Sequence, residues 1–116
     1  MTTKTLRIGA GAGFAGDRID PAVDLARDGR LDYLVFECLA ERTIALAQLA
    51  RRSGRSAGFD PMLRERMEAV LPHCAKNGTR IISNMGAANP RAAAAETAAV
   101  ARSLGLAGLR IAWVEG

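Results

Sequence analysis

The chain has 116 residues and a formal charge of +4; it is 49% hydrophobic, 24% charged and poor in aromatic side chains at 4%. That length allows a single domain with a buried core, and no apolar run approaches the roughly 18 residues that a membrane span needs. The positive charge gathers only at Arg51-Arg52-Ser53-Gly54-Arg55. Stacking aromatics and a basic recognition helix are both missing there, so the cluster reads as the solvated end of a helix, and neither nucleic acid nor a membrane is expected as a partner.

Residues 1–5 lack the apolar core of a signal peptide. The two cysteines, Cys38 and Cys74, show neither metal nor disulfide spacing and sit in apolar stretches, which reads as reduced, buried thiols. The chain is therefore expected to be cytoplasmic.

A first strand at Leu6-Arg7-Ile8 opens into Gly9-Ala10-Gly11-Ala12-Gly13-Phe14-Ala15-Gly16-Asp17-Arg18. Asp20-Pro21, Asp60-Pro61 and Asn89-Pro90 each set a capping side chain before a proline, the preferred start of a helix. The helices they open should stop at Gly29, Gly78 and Gly105, where glycine takes the left-handed turn. Tyr33-Leu34-Val35-Phe36 forms the second strand and ends at Glu37, and residues 41–52 form a helix. Residues 53–60 are the only flexible connector of any length. Residues 61–77 carry Leu63, Met67, Val70, Leu71 and Cys74 at helical spacing, with Pro72 expected to kink or break the helix. Ile81-Ile82 is a third strand running into Ser83-Asn84-Met85-Gly86, residues 91–104 form an alanine-rich helix, and Ile111-Ala112-Trp113-Val114 is a fourth strand ending at Glu115.

The alternation of strand, polar loop, helix and strand predicts an α/β fold with an open, mostly parallel four-stranded sheet and flanking helices. Unbroken apolar strands suggest that both sheet faces are covered. A Rossmann-like or flavodoxin-like order, 2-1-3-4, is preferred over a barrel-like 1-2-3-4. With no helix after the fourth strand, the chain reads as the opening portion of a larger α/β domain. A homo-oligomer or a missing carboxyl-terminal segment would then cover the bare sheet.

Ligands of open parallel sheets sit at the carboxyl ends of the strands, where helix amino-termini converge. Four such ends here carry glycines or polar groups. Gly11-Ala12-Gly13-Phe14-Ala15-Gly16 satisfies G-x-G-x-x-G after a strand, and Glu37 stands about 20 residues on, near the acidic ribose ligand of dinucleotide sites. The expected helix start lies beyond the last glycine, however, and Asp17 would set negative charge beside a pyrophosphate. Three readings of the loop remain: a nucleotide site, a cradle for another anion, or a tight turn. Glu37 is a candidate acid or base, since desolvation in a cleft raises a carboxylate's pKa into a useful range. Asp17-Arg18 offers an acid beside an anion clamp, and Asn84 with Gly86 offers an amide and free backbone N–H groups. The candidate site is thus Glu37 and Asp17 for chemistry and Gly11, Gly13, Gly16, Arg18, Asn84 and Gly86 for substrate. The cofactor is unknown and no metal is implied. His73 lies away from every strand end and reads as a surface residue.

Three blocks in order, 11–18 (GAGFAGDR), 32–43 (DYLVFECLAERT) and 84–90 (NMGAANP), resemble the acyclic terpene utilisation family, the AtuA-like proteins. The similarity runs from about residue 6 to the end and covers the amino-terminal part of a longer family domain. The resemblance implies a bacterial protein of acyclic terpenoid catabolism, of the citronellol and geraniol type, acting on a terpenoid acid or its CoA thioester. It carries no assigned reaction and so transfers no catalytic role. A nucleotide-binding module and an inactive remnant or split subunit are the alternatives.

Overall fold

The computed structural model describes residues 2–116. The elements are β1 (Ile8–Ala12), α1 (Asp20–Asp28), β2 (Tyr33–Phe36), α2 (Glu41–Arg52), α3 (Leu63–Asn77), β3 (Arg80–Ser83) and α4 (Pro90–Ser103). The fold is α/β, with an open parallel sheet of three strands in the order β1-β2-β3.

Two expectations about the sheet are corrected. β2 stands in the middle, not β1, so the 2-1-3-4 order does not form. Residues 109–114 also join no ladder, and the sheet has three strands, not four. They face β3 across a groove of about 840 Å³ that both segments line, whereas paired strands lie about 4.8 Å apart.

Coverage of the sheet follows from strand order. Successive parallel strands that advance in one direction, joined by right-handed crossovers, keep their helices on one face. The register sets Gly9, Leu34 and Ile81 in one row and Ala12 beside Phe36. That face is buried, with Leu34 at 0% and Phe36 at 1% exposure, in a core with Ala22 and Ala26 of α1, Met67, Val70 and Cys74 of α3, and Val100 of α4. The opposite face carries Ile8 at 64% and Ile82 at 54% exposure. The expectation of two covered faces therefore fails, and the strands alternate buried with exposed despite their continuous apolar sequence.

Local chemistry explains most helix boundaries. Asn89 caps α4 by accepting the Ala92 N–H at 3.2 Å, as its sequence position suggests. Asp60 accepts the Met62 N–H at 2.7 Å and turns the chain into α3. Asp20 does not cap α1; its carboxylate goes to Arg18. Gly78 ends α3 in the left-handed region at φ 71°, but Gly29 keeps φ −75° and Arg30 takes the positive φ instead. Pro72 does not break α3, which runs through it to Asn77. The carbonyl deprived of a partner belongs to Glu68, and both positions are exposed. Asn77 Nδ2 donates to Ala26 O at 2.9 Å, and Thr79 Oγ1 donates to Leu31 O at 2.8 Å, fastening α3 and the start of β3 to the first βα unit.

One-sided burial separates two residues of the same sheet. Leu34→Ala should cost about 2–5 kcal/mol through cavity formation, while Ile82→Ala should stay within about 0.5 kcal/mol. Urea unfolding of the two variants measures the contrast, and equal losses would contradict a one-faced sheet.

Candidate functional site

The glycine loop is tied from within by Asp17. Asp17 Oδ2 accepts the Gly13 N–H and Oδ1 accepts the Arg18 N–H, both at 2.9 Å. These backbone bonds, that to Gly13 foremost, hold the Asp17 carboxyl below the usual range. Helix α1 starts at Asp20, past the last glycine, so its amino-terminus is not built into the glycine run as a dinucleotide fingerprint requires. Arg18 is largely exposed and its guanidinium binds Asp20 through Nε and Nη2 at 3.2 and 2.9 Å. Gly11 and Gly86 have steric reasons to be glycine. A Cβ on Gly11 would stand 2.7 Å from the Phe36 ring, and one on Gly86 would stand 2.7 Å from the Pro90 Cα. Gly13 and Gly16 are exposed on the loop.

The carboxyl ends of the three strands meet. Glu37 N donates to Ala12 O at 3.1 Å, joining the ends of β2 and β1. Asn84, one residue past β3, accepts the Cys38 N–H at its Oδ1 at 2.7 Å and donates from Nδ2 to Glu37 Oε1 at 2.9 Å. Glu37 Oε1 also accepts the Leu39 N–H at 3.0 Å. The Asn84 amide, with the Leu39 N–H second, lowers the Glu37 pKa. This corrects the expectation of a carboxylate raised by desolvation. Glu37 is solvent-exposed and ionised at neutral pH, so it has no proton to give as an acid. Glu115 lies elsewhere, beside Asn89 and Arg91 at a separate depression.

Cys38, next to Glu37, is buried, and burial pushes its thiol up to about 11; burial does the same for Cys74. Beside this network runs the groove along β3. Its walls are largely apolar, from Leu63, Met67 and Leu71 of α3, Ala94 of α4 and Trp113, and it reaches Asn84 and Gly86. Among the described residues, no three His, Cys, Asp or Glu side chains gather as a metal site would need, and no helix is long and apolar enough to cross a membrane.

Arg66 is a residue that sequence reasoning missed. It is wholly buried, and its Nη2 donates to Ala15 O at 2.9 Å and Asp17 O at 3.0 Å, gripping the glycine loop from below. Its position was legible from spacing: it lies three residues after Leu63 and four before Val70, inside the apolar stripe of α3.

The hydrogen bonds predict a titration. A lowered folded pKa means that Glu37 contributes stability above the ordinary glutamate range and loses it as pH falls through the folded value. In Asn84→Ala the Glu37 midpoint should rise and this acid-side loss should shrink. Carbon-detected NMR titration of the carboxyl reads the change, and an unmoved midpoint would assign the effect to the Leu39 N–H alone.

Comparison with known proteins adds one finding. A family model described as acyclic terpene utilisation family protein AtuA matches residues 6–116. No curated protein and no solved structure matches the chain. The match spans the glycine loop, all three strands and every residue of the rim, and the chain belongs to the AtuA family of acyclic terpene utilisation proteins.

Proposed function

We propose that this chain forms part of the binding and proton-transfer site of a bacterial, cytoplasmic protein that acts on an acyclic terpenoid acid or its CoA thioester. The carrying observation is the juxtaposition of an ionised carboxylate with an apolar groove. Glu37 is held by Asn84 at 2.9 Å, and Asn84 itself lines the groove of about 840 Å³. That volume falls within the roughly 300–1,000 Å³ of small-molecule sites. A branched hydrocarbon chain suits the Leu63, Met67, Leu71 and Trp113 walls, and its polar head then meets the strand ends.

Each rim residue has a role in this reading. Asn84 Nδ2 has one hydrogen beyond its bond to Glu37, and it orients a carbonyl. Glu37, ionised and exposed, takes a proton from the substrate beside that carbonyl. Gly13 and Gly16 let the ligand approach the loop backbone, with Asp17 as the competing internal acid. Gly11 and Gly86 act through packing, by placing the Phe36 ring and the start of α4. Arg18, exposed on the glycine loop, attracts the ligand's outer anionic groups.

Calorimetry with citronellyl-CoA and acetyl-CoA tests the arrangement. Ala94→Phe, which fills the groove, should weaken citronellyl-CoA binding by about tenfold, a loss of ~1.4 kcal/mol, and leave acetyl-CoA unaffected. Arg18→Ala should weaken both ligands, and Glu37→Gln should abolish any proton exchange at the substrate while leaving it bound. Equal affinity of wild type and Ala94→Phe for citronellyl-CoA would remove the groove from the account.

A further inference from the structure

Arg66 holds a full positive charge at 0% exposure, and only one of its three nitrogens is satisfied. Nη2 spends its hydrogens on Ala15 O and Asp17 O, whereas Nε and Nη1 have no partner among the described residues. None of the ion pairs among the described residues includes Arg66. The acids nearest to it are engaged elsewhere. Asp17 gives its oxygens to Gly13 N and Arg18 N, and Asp60 Oδ1 takes the Met62 N–H. A buried guanidinium that feels the Asp17 and Asp60 carboxylates only through space, and lacks a complete set of acceptors, is costly for a fold to hold. Its persistence calls for an acceptor that arrives from outside.

We propose that Arg66 is the seat of a bound oxyanion, a carboxylate or phosphate group of the ligand, received beneath the glycine loop through the free Nε–H and Nη1–H donors. The loop that closes over the guanidinium is thin. Gly13 and Gly16 carry no side chains, and a Cβ built on Gly13 would meet nothing nearer than Asp17 Oδ2 at 3.8 Å. The two carbonyls on Nη2 hold the fork in a fixed orientation, so a delocalised, planar cation is presented with its remaining donors unspent. Nε and Nη1 lie on different sides of the guanidinium, so the anion takes one of them directly and a water takes the other. Cys38 and Asp60, both buried, lie within electrostatic reach of the same guanidinium. The assignment goes beyond the terpenoid reading, which places the ligand's outer anionic groups on Arg18 and needs no occupant at Arg66.

The test uses the full chain and simple salts, so it succeeds or fails independently of citronellyl-CoA binding. Sodium phosphate and sodium acetate are titrated separately at constant ionic strength, with sodium chloride as the control, while the Arg66 Nε–H and the Gly13 amide are followed by NMR. The expected result is a saturable shift of the Arg66 Nε–H with phosphate, acetate or both, and none with chloride. Response to phosphate alone assigns a phosphate-bearing ligand; response to acetate assigns a carboxylate. Arg66→Met should abolish the Gly13 response. Arg66→Lys, which keeps the charge but not the fork and guards against a misfolded Arg66→Met, should bind at least about tenfold more weakly, the loss of one charge-assisted hydrogen bond. A wild-type Arg66 Nε–H that responds to neither anion would mean that internal water satisfies the donors and would overturn the assignment. An Arg66→Lys affinity equal to wild type would do the same.

Discussion

The constraint on which this molecule depends is the hand of its crossovers. Three parallel strands that advance in one direction can be joined right-handedly only by keeping the connecting helices on one side. α1, α3 and α4 accordingly share a core against one face, with Leu34, Phe36, Val70 and Val100 at its centre. The same constraint aligns the three carboxyl strand ends at one border. There the chain leaves the sheet as Gly13, Glu37 and Asn84, and hydrogen bonds at 2.9–3.1 Å join Ala12 to Glu37 and Glu37 to Asn84. The rim is a consequence of topology before it is a matter of chemistry.

Chemistry then divides the rim into two parts. On one side a carboxylate, Glu37, is kept ionised by an amide and a backbone N–H while remaining open to solvent. On the other, the glycine loop rests on a cation withdrawn from water, through two carbonyls bound to Arg66 Nη2. A carboxylate beside an amide hydrogen, a buried guanidinium with unspent donors and an apolar groove are what the proposed site for an amphipathic acid or thioester rests on. Family membership in acyclic terpene utilisation accords with that description.

Much of this was legible in the residues, and the exceptions have physical causes. Helix α2 spans the residues expected from its sequence although none of its side chains is buried, because Thr43 secures its start by hydrogen bonding to Ala40 N and O. α4 begins where Asn89-Pro90 places it. The convergence of Gly13, Glu37 and Asn84 was readable because strand-end residues of a parallel sheet share a border whatever the strand order. Strand order itself was not readable, since short apolar strands such as Tyr33–Phe36 and Arg80–Ser83 carry no mark of their neighbour. Continuous apolar sequence suggested two covered faces, yet Ile8 and Ile82 show that apolar residues also occupy an open one. The direction of the Glu37 shift was hidden for a related reason. It depends on a partner 47 residues away, and local sequence shows only the carboxylate.

Asp17 gives the glycine loop a property that its backbone alone would lack. The carboxylate occupies the Gly13 and Arg18 N–H donors that an incoming anion would seek, so the loop carries its own decoy. A ligand that displaced it would return Asp17 to water and to its ordinary acidity. At pH values around and below the ordinary aspartate range, such a release would be accompanied by proton uptake from the medium. Ligand exchange at this loop and protonation of Asp17 would then be two faces of one equilibrium, without any histidine taking part.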